Sequence, residues 1–496
     1  MKLNLFLLIF NLFIIISSLF CFNPIGLKND FIREMEIKRR IQLQTKIDKP
    51  KLKWTEEWFD NVPIDHFSSE DSRTFKLRYL INTDYFKYKD APIFFCLGDE
   101  GGIDDSTDYN GFMVETASEF GAALIFAEHR FFYNTLPFGN ETYTKATNMV
   151  YLSQDQAIAD YVLLIKYLKE KRLVNAKKSP VITFGSSYGG ELNAWMRLKY
   201  PNVTAGAIAS SAPINYFINS PTLSQSSYYD VVMRTYLHYA EGRTFLNKNY
   251  HLSPLSQIND LNDAQQLIDV FTSTMIYSSR WNFNNFDLTS QFLPAVESCK
   301  AFTSAKTFEQ FALAPYYTIN MVYNWTGEKT TLHLWNFTKT AVVYDFYYAW
   351  CWLSCTKEIS PYCARGPPYD VFERDCPFNL TDYFENFCMA TFSKIGYTKD
   401  YFQPNWIIDH YGYDFKTATN LVFINGIYDP WSGGGWKQTT TNVGSVYNYM
   451  TDGGHTYDIH PSFPGDTKII RDIRFKEKMH IAEWIHQAKL NSNTTY

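Results

Sequence analysis

A serine in a glycine-rich turn, an aspartate and a histidine, in that order along the chain, are the residues that could perform nucleophilic catalysis. Ser187 is the central residue of the Gly-x-Ser-x-Gly pentapeptide that begins at Gly185. A serine hydroxyl is a poor nucleophile unless a histidine removes its proton, and an acid holds that histidine in the required tautomer. The pattern predicts acyl-transfer chemistry in which Ser187 attacks, His455 is the base and Asp429 orients the imidazole.

The residues around the serine predict the element that would present it. An apolar run at 181–184 is typical of a buried strand, and the amphipathic run that ends at Pro201 is typical of a helix. A strand, a sharp turn and a helix around Gly-x-Ser-x-Gly form a nucleophile elbow, which exposes the serine hydroxyl above the sheet edge. The helix N-terminus behind Ser187 would favour developing negative charge.

Apolar runs alternate with helical patterns on both sides of the elbow, which predicts a largely parallel sheet. Asp429 and His455 each follow a predicted strand, so they are expected at the edge that carries Ser187. We predict the α/β class, with an α/β-hydrolase core and an inserted, mostly helical, disulfide-stapled cap. The predicted strands are 74–82, 91–97, 122–127, 181–184, 205–213, 420–424 and 445–450, and the predicted helices include 154–169 and 470–490.

The alternation is interrupted between about residues 215 and 400. This segment has helical runs such as 263–275 and few strand signals, so we predict a cap that divides the core into 54–214 and 401–496. Cys96 is expected to be a buried free thiol. Six of the eight cysteines lie in the cap, where an oxidising compartment favours up to three disulfides of open connectivity: Cys299, Cys351, Cys355, Cys363, Cys376 and Cys388.

The N-terminus predicts entry into the secretory pathway. Met1-Lys2 and the apolar run that follows form a signal peptide over 1–20, with a signal anchor as the alternative, and 21–53 is a linker or pro-segment. No other stretch approaches the length of a membrane span. We expect a lysosomal or vacuolar lumen, or the extracellular space. Six Asn-x-Ser/Thr sequons fit this route: Asn140, Asn202, Asn324, Asn336, Asn379 and Asn493.

Composition narrows the function classes. The 496 residues are 46% hydrophobic and 20% charged, which indicates a globular chain, and a net charge of −5 argues against a nucleic-acid partner. The chain lacks a His-Glu-x-x-His motif, so we predict no zinc hydrolase, no metal site and no cofactor. His66 and His129 each follow an acidic residue and are expected to support the structure or the site rather than to catalyse.

The chain resembles the family of prolyl serine peptidases that includes lysosomal Pro-X carboxypeptidase, dipeptidyl peptidase II and thymus-specific serine protease. The resemblance implies a hydrolase core with a helical insertion and cleavage next to proline, and it gives Ser187, Asp429 and His455 the roles stated above. The matching stretches are Asp65-His66-Phe67, Glu128-His129-Arg130, 136–139, 151–160, 185–190, 429–435 and Gly454-His455 with Asp458.

An oxyanion hole is expected from two parts of the chain. One donor is the backbone N–H of Tyr188, directly after the nucleophile, and another comes from the glycine-rich loop after the strand at 91–97, at Glu100 or Gly101. The family commonly has Asn and Asp in this loop where the chain has Asp99 and Gly102. The change leaves the backbone donors in place.

The substrate pocket is expected to contain Glu191, Trp431 and Lys357. Relatives commonly have Met where Glu191 stands and Glu where Lys357 stands, so the resemblance leaves the substrate preference open. A buried carboxylate needs a partner. We hypothesise that Glu191 pairs with Lys357, the alternatives being a positive group of the substrate, solvent or the first turn of its own helix.

These observations favour a serine exopeptidase that cleaves next to proline and resembles Pro-X carboxypeptidase. Pro361-Tyr-Cys363 is closer to that branch than to the dipeptidyl peptidase branch. A dipeptidyl peptidase II-like aminopeptidase is the alternative within the family. A lipase or esterase and an inactive hydrolase-fold binding protein are the alternatives of another class. The expected partners are small peptides with proline before the scissile bond, and a homodimer is a further expectation.

Overall fold

The computed structural model describes residues 52–223, 225, 246–252, 256–258, 267, 270, 271, 274, 275, 294–306, 308–323, 345–365, 375–427, 429–439 and 446–494. The predicted signal peptide and almost all of the predicted linker or pro-segment lie outside these residues. Most of the predicted helix at 263–275 also lies outside them.

An eight-stranded sheet forms the centre of the described structure, in the order β1-β2-β4-β3-β5-β6-β7-β8. Its members are β1 Thr55–Pro63, β2 Thr74–Asn82, β3 Ile93–Cys96, β4 Ala123–Ala127, β5 Val181–Ser186, β6 Gly206–Ser210, β7 Leu421–Gly426 and β8 Val446–Thr451. All pairs from β4 to β8 are parallel, whereas β1 pairs with β2 and β2 with β4 in antiparallel fashion. The prediction of a largely parallel sheet is confirmed.

Helices connect and cover these strands. They are α1 Ile103–Tyr109, α2 Gly111–Phe120, α3 Ala146–Met149, α4 Gln154–Tyr167, α5 Tyr188–Lys199, α6 Pro294–Thr303, α7 Phe308–Tyr323, α8 Asp345–Ser354, α9 Leu380–Asp382, α10 Met389–Phe392, α11 Trp406–Tyr411 and α12 Lys468–Thr494. The predicted helix at 154–169 is α4, which continues as a π-helical turn, Leu168–Arg172. The predicted closing helix is α12.

Different helices cover the two faces of the central strands, because alternate residues of a strand point to opposite faces. Ala207 of β6 belongs to the buried cluster that contains Trp195 of α5. Ile208, the next residue, belongs to the cluster that contains Trp484 of α12. A Cβ at Gly206 would lie 2.0 Å from the Trp484 ring, so glycine permits α12 to pack closely on the sheet.

The predicted cap is present as an insertion between β6 and β7, where the described elements are helical and run from α6 to α11. Two disulfides, Cys355–Cys388 and Cys363–Cys376, link segments of this insertion. The prediction of disulfides in the cap is therefore confirmed for two bridges. In the described part of the chain, Cys299 is exposed on α6 and takes part in no disulfide.

The fold class is therefore the predicted one, an α/β-hydrolase core with an inserted helical, disulfide-stapled cap. The thiol of Cys96 is buried and free, as predicted, and its burial raises its pKa. In the described part of the chain, no helix is both long enough and apolar enough to cross a lipid bilayer.

Candidate active site

The turn between β5 and α5 holds Ser187 in a strained conformation. Its φ is 54° and its ψ is −126°, values that a residue with a side chain seldom adopts. The turn is tight, since a Cβ at Gly185 would lie 2.1 Å from the carbonyl oxygen of Gly189. The Ser187 backbone N–H donates to the carbonyl oxygen of Ser210 at the end of β6, at 2.9 Å. The chain thus forms the predicted elbow, with Ser187 partly exposed at the sheet edge.

Asp429 and His455 follow β7 and β8 and lie in direct contact. The distance from His455 Nδ1 to Asp429 Oδ2 is 2.8 Å, and both side chains are almost completely buried. The other carboxylate oxygen, Oδ1, accepts a hydrogen bond from the backbone N–H of Trp431 at 3.0 Å. Because Asp429 engages Nδ1, proton exchange with a substrate or a nucleophile falls to Nε2 of His455.

The histidine loop is anchored to the same strand end as the elbow. The backbone N–H of Thr456 donates to Ser211 Oγ at 2.8 Å, and Ser210 Oγ donates to Asp458 Oδ1 at 2.7 Å. Ser210 is also the residue whose carbonyl receives the Ser187 N–H. The end of β6 therefore positions the nucleophile turn and the His455 loop relative to each other.

The glycine-rich loop after β3 packs against the elbow helix. Tyr161 Oη donates to the carbonyl oxygen of Gly98 at 3.0 Å, and a Cβ at Gly189 would lie 3.3 Å from Asp99 Cβ. The Gly101 N–H, one of the expected oxyanion donors, instead donates to Asp99 Oδ1 at 2.6 Å. This contact engages one of the two N–H groups that the sequence predicted as donors in this loop.

Tyr188, which directly follows Ser187, contacts His129, one of the two histidines that the sequence predicts to be supporting. Tyr188 Oη lies 3.1 Å from Nε2 of His129, and both residues are buried. Burial lowers the pKa of His129 to about 4, so this imidazole is neutral at physiological pH. The side chain of Tyr188 is thereby held in place beneath the first turn of α5, where the expected oxyanion N–H lies.

His66, the other histidine beside an acid, belongs to a buried ion-pair network away from the nucleophile. Its Nε2 lies 2.6 Å from Asp160 Oδ1, and Arg130 Nη2 lies at the same distance from that oxygen. Arg130 also donates to the backbone carbonyls of Pro63 and Ile64. The network joins the end of β1 to α4, which is a supporting role.

Trp431 lies between the catalytic candidates and the cap. Its ring centroid is 4.9 Å from that of His455, and its Nε1 donates to Tyr362 Oη at 3.1 Å. Tyr362 packs in turn against Tyr216, with centroids 4.7 Å apart and the rings tilted by 35°. This aromatic group lies on one side of His455. The sequence predicts Trp431 to be part of the substrate pocket.

Glu191 is paired with another acid. Its side chain is 1% exposed, and its carboxyl forms a hydrogen bond with that of Glu358 from the cap. Glu358 Oε2 also accepts from Gln154 Nε2 at 2.7 Å. Burial first, and then the charge of Glu358, raise the pKa of Glu191 well above its ordinary value, while burial raises the pKa of Glu358 to about 7. A protonated Glu191 therefore donates to the Glu358 carboxylate.

The hypothesis that Glu191 pairs with Lys357 is wrong. Lys357 Nζ lies 3.9 Å from Asp155 Oδ1 and 4.4 Å from the ring centroid of Trp406. Burial lowers the pKa of Lys357, and the charge of Asp155 opposes that effect. The next residue, Glu358, occupies the position beside Glu191.

Sequence reasoning missed Glu358 and Gln154, which complete the acidic group. The only available signal was Glu358 itself, a second charged residue in the otherwise apolar and aromatic cap segment around Lys357. Among the described residues, no group of three or more His, Cys, Asp or Glu side chains is arranged to hold a metal ion. Ser187, Asp429, His455 and Trp431 thus lie at one edge of the sheet, and Glu191 lies one helical turn after Ser187.

A model of the family described as "Serine carboxypeptidase S28" matches residues 62–244 and 231–477, which together span most of the chain. The chain belongs to the serine carboxypeptidase S28 family. It is therefore a serine-type peptidase, and its substrates are peptides. The resemblance to prolyl serine peptidases is confirmed.

Two S28 relatives match over most of their length. "Prolyl carboxy peptidase like protein 5" of Caenorhabditis elegans is 35% identical over 88% of this chain and 91% of its own. "Lysosomal Pro-X carboxypeptidase" of Homo sapiens is 31% identical over 85% of this chain and 86% of its own. Both identities extend across the core and the insertion.

Solved structures with detectable likeness include other hydrolases. An esterase of Pyrobaculum calidifontis covers 92% of this chain and 94% of its own, with 10% identity and a TM-score of 0.39. Proline iminopeptidase of Mycobacterium smegmatis covers 88% of this chain and 100% of its own, with 10% identity and a TM-score of 0.33.

Proposed function

We propose that this S28 peptidase is an exopeptidase that cleaves the bond after proline and releases the C-terminal residue. Ser187, His455 and Asp429 are the catalytic residues of the proposal. The observation that carries it is the buried hydrogen bond between His455 and Asp429 at the sheet edge that bears the Ser187 elbow.

The proposed reaction has two steps. Ser187 Oγ attacks the scissile carbonyl while His455 Nε2 accepts its proton, and the imidazolium then protonates the departing amine. Water hydrolyses the acyl-enzyme with the same histidine as the base. Asp429 remains ionised and stabilises the imidazolium through Nδ1. The N–H groups of Tyr188 and Glu100 hold the oxyanion, because Asp99 already occupies the Gly101 donor.

Two observations support proline beside the scissile bond. The relatives whose names refer to prolyl or Pro-X carboxypeptidases match this chain over both the core and the cap. Trp431 and Tyr362 give flat aromatic surfaces beside His455, which suit the rigid apolar ring of proline. The human relative's lysosomal location and the two disulfides support a lumen of the secretory or lysosomal system as the place of action.

A panel of proline peptides blocked at one end tests the proposal. Purified protein is incubated with acetyl-Ala-Pro-Phe, with the same peptide amidated at its C-terminus, and with Ala-Pro-Phe-amide, and products are identified by mass spectrometry. We expect release of Phe from the peptide with a free C-terminus. Release of Ala-Pro from the C-terminally blocked peptide alone would instead identify a dipeptidyl peptidase.

The matched control is Ser187→Ala. Removing the nucleophile of a triad lowers kcat by on the order of 10⁶-fold, so the variant should release no Phe above the background of the buffer. Activity close to that of the unmodified protein would show that another group is the nucleophile.

A further inference from the structure

Three polar side-chain atoms around Glu358 have no hydrogen-bond partner among the described residues. They are Glu191 Oε2, Gln154 Oε1 and Tyr411 Oη, contributed by α5, α4 and α11. All three residues are more than nine-tenths buried. A buried polar atom without a partner is costly, and native structures satisfy most such atoms.

These atoms belong to one site. Glu358 is hydrogen-bonded to both Glu191 and Gln154, and its charge contributes to the raised pKa of Tyr411. The carboxyl of Glu100 also acts on Glu191 and raises its pKa further. The site therefore joins three acids to an amide oxygen and a phenol, and most of its groups are hydrogen-bond acceptors.

Among the described residues, no cation forms an ion pair with Glu191 or Glu358, and Lys357 is held by Asp155 and Trp406. Acidic groups that are buried without a cation hold a proton instead, which explains their raised pKa values. A ligand with several N–H donors and a positive charge would supply hydrogen bonds to the unpartnered oxygens and would balance the charge of the acids.

The site lies directly behind the reacting centre. The Glu191 backbone N–H donates to the carbonyl oxygen of Ser187 at 3.0 Å, one helical turn from the nucleophile. The Glu191 carboxyl also acts on Tyr362, which receives the hydrogen bond from Trp431 beside His455. A group held by Glu191 would therefore belong to a residue next to the bond under attack.

We propose that Glu191, Glu358 and Gln154 form an acidic subsite that binds the ammonium group of a peptide substrate. The ammonium comes either from a lysine side chain before the scissile bond or from the free N-terminus of a short peptide. An ammonium carries three N–H donors, and the unpartnered oxygens around Glu358 are also three when the adjacent Tyr411 Oη is counted with Glu191 Oε2 and Gln154 Oε1. The inference rests on the proposed function, since it assumes that Ser187 attacks a peptide.

The subsite would distinguish peptides that carry an ammonium group from peptides that do not. A neutral side chain leaves the buried oxygens without donors, and a site built for a polar group rejects an analogue that lacks it. Hydrogen bonds to charged groups correspond to about ten- to hundredfold in affinity. The acidic subsite would therefore shift the preference of this chain away from proline alone and towards peptides that carry an ammonium near the scissile bond.

Direct binding to a Ser187→Ala background tests the subsite without requiring turnover. Calorimetry at pH 7 compares acetyl-Ala-Lys-Phe with acetyl-Ala-norleucine-Phe, which differ only in the terminal ammonium of the side chain. A second pair, Ala-Pro-Phe and acetyl-Ala-Pro-Phe, differs in the free N-terminus. We expect about ten- to hundredfold tighter binding of the cationic member in one pair, and that pair identifies the source of the ammonium.

Two further variants assign the effect to the site. Glu191→Gln and, separately, Glu358→Gln should reduce the affinity ratio to about threefold or less. The matched control is Glu477→Gln, which changes an equally buried carboxyl on α12, at the other face of the sheet. It should leave the ratio unchanged. Thermal unfolding of each variant verifies that it is folded.

The outcomes separate this inference from the proposed function. Equal affinities within both pairs, or a ratio that survives both Glu191→Gln and Glu358→Gln, would overturn the subsite. The same four peptides are also given to the protein that retains Ser187. Cleavage without a cation preference would overturn the subsite but support the proposed peptidase activity. A cation preference in binding without cleavage would support the subsite but overturn the proposed activity.

Discussion

Asp429 and Glu191 are both buried acids at the edge of the sheet that carries Ser187, but their surroundings differ. Both oxygens of Asp429 receive hydrogen bonds, one from His455 and one from the Trp431 backbone. Glu191 faces another carboxyl, that of Glu358, and its Oε2 has no partner among the described residues. Hydrogen bonds from the protein thus stabilise the Asp429 carboxylate at both oxygens. The Glu191–Glu358 pair instead shares a proton.

The two acids at this sheet edge therefore differ in how strongly their charge depends on pH and on a bound ligand. The donors around Asp429 come from the core loops that follow the paired strands β7 and β8. The Glu191 pair joins a core helix to the cap, and its charge depends on pH and on any ligand that supplies a cation. In the proposed mechanism the core supplies the reacting groups, and the contact between core and cap supplies the proposed subsite.

The largest expected effect comes from removing the charge of the fully paired acid. Asp429→Asn should lower kcat by about 10⁴-fold, because the amide favours the wrong imidazole tautomer, as is known for serine peptidases in general. Steady-state hydrolysis of acetyl-Ala-Pro-Phe measures it. Glu358→Gln is the matched change at the other acid and should leave kcat for this neutral peptide within about tenfold. Equal losses in both variants would remove the distinction drawn between the two acids.

The next effect concerns stability. The pKa of Glu358 is about 7 in the folded protein against an ordinary value of 4.5, so the native state binds the proton more tightly than the unfolded chain does. Its contribution to stability is fully present below pH 4.5 and is lost as the pH rises through 7. We expect the free energy of unfolding to fall by on the order of 3 kcal/mol over this range from this group.

Urea unfolding at pH 4.5, 6 and 8 measures this dependence. Glu358→Gln cannot ionise at this position and should unfold with a smaller pH dependence than the unmodified protein. An unchanged slope of stability against pH would show that the pair is not protonated in the native state.

A second buried acid, on the other face of the sheet from the proposed subsite, tests whether the loss of stability at high pH is specific to the Glu191–Glu358 pair. Glu477 of α12 is completely buried with no partner for either oxygen among the described residues, and burial followed by the charge of Asp458 raises its pKa. Because its pKa is higher in the folded protein than in the unfolded chain, this group destabilises the fold as the pH rises. Glu477→Gln should increase the free energy of unfolding at pH 8 by at least about 1 kcal/mol and should leave kcat unchanged. A loss of stability at pH 8 would contradict this.

The smallest expected effect is the coupling between Glu191 and Lys357. Because Lys357 contacts Asp155 and Trp406, the changes Glu191→Met and Lys357→Met should be additive within about 0.5 kcal/mol. A double-mutant cycle on kcat/KM for acetyl-Ala-Pro-Phe measures the coupling. A value above about 1 kcal/mol would restore the direct pair that the sequence suggested.

The sequence was most informative where function depends on local structure. The elbow is encoded in a short run of residues around Ser187, and the positions of Asp429 and His455 follow from the rule that parallel strands end at one edge. The edge strand β1 was not predicted, since its residues are mostly exposed and show no continuous apolar run. Its partner β2 is more buried and was predicted.

The acidic pair could not be predicted for a different reason. Glu191 and Glu358 meet only because the cap folds back onto the core, a contact between residues far apart in sequence. Neither helical periodicity nor a motif reports which of two adjacent side chains, Lys357 or Glu358, faces the core. The hydrogen bond from the Gly101 N–H to the Asp99 side chain was likewise not predicted, because a motif does not report local contacts within the loop.

The two cap disulfides have a consequence for how this protein can change over evolutionary time. Glu358 and Tyr362 lie between Cys355 and Cys363, and each of these cysteines is bonded to a different partner elsewhere in the cap. The ends of this short stretch are therefore covalently restrained, whatever residues stand between them. Substitutions inside the stretch can therefore change the contacts that Glu358 and Tyr362 make with Glu191 and Trp431 while the cysteine ends stay restrained. Under the proposed function, selectivity can thus change in a few steps without any change to Ser187, Asp429 or His455.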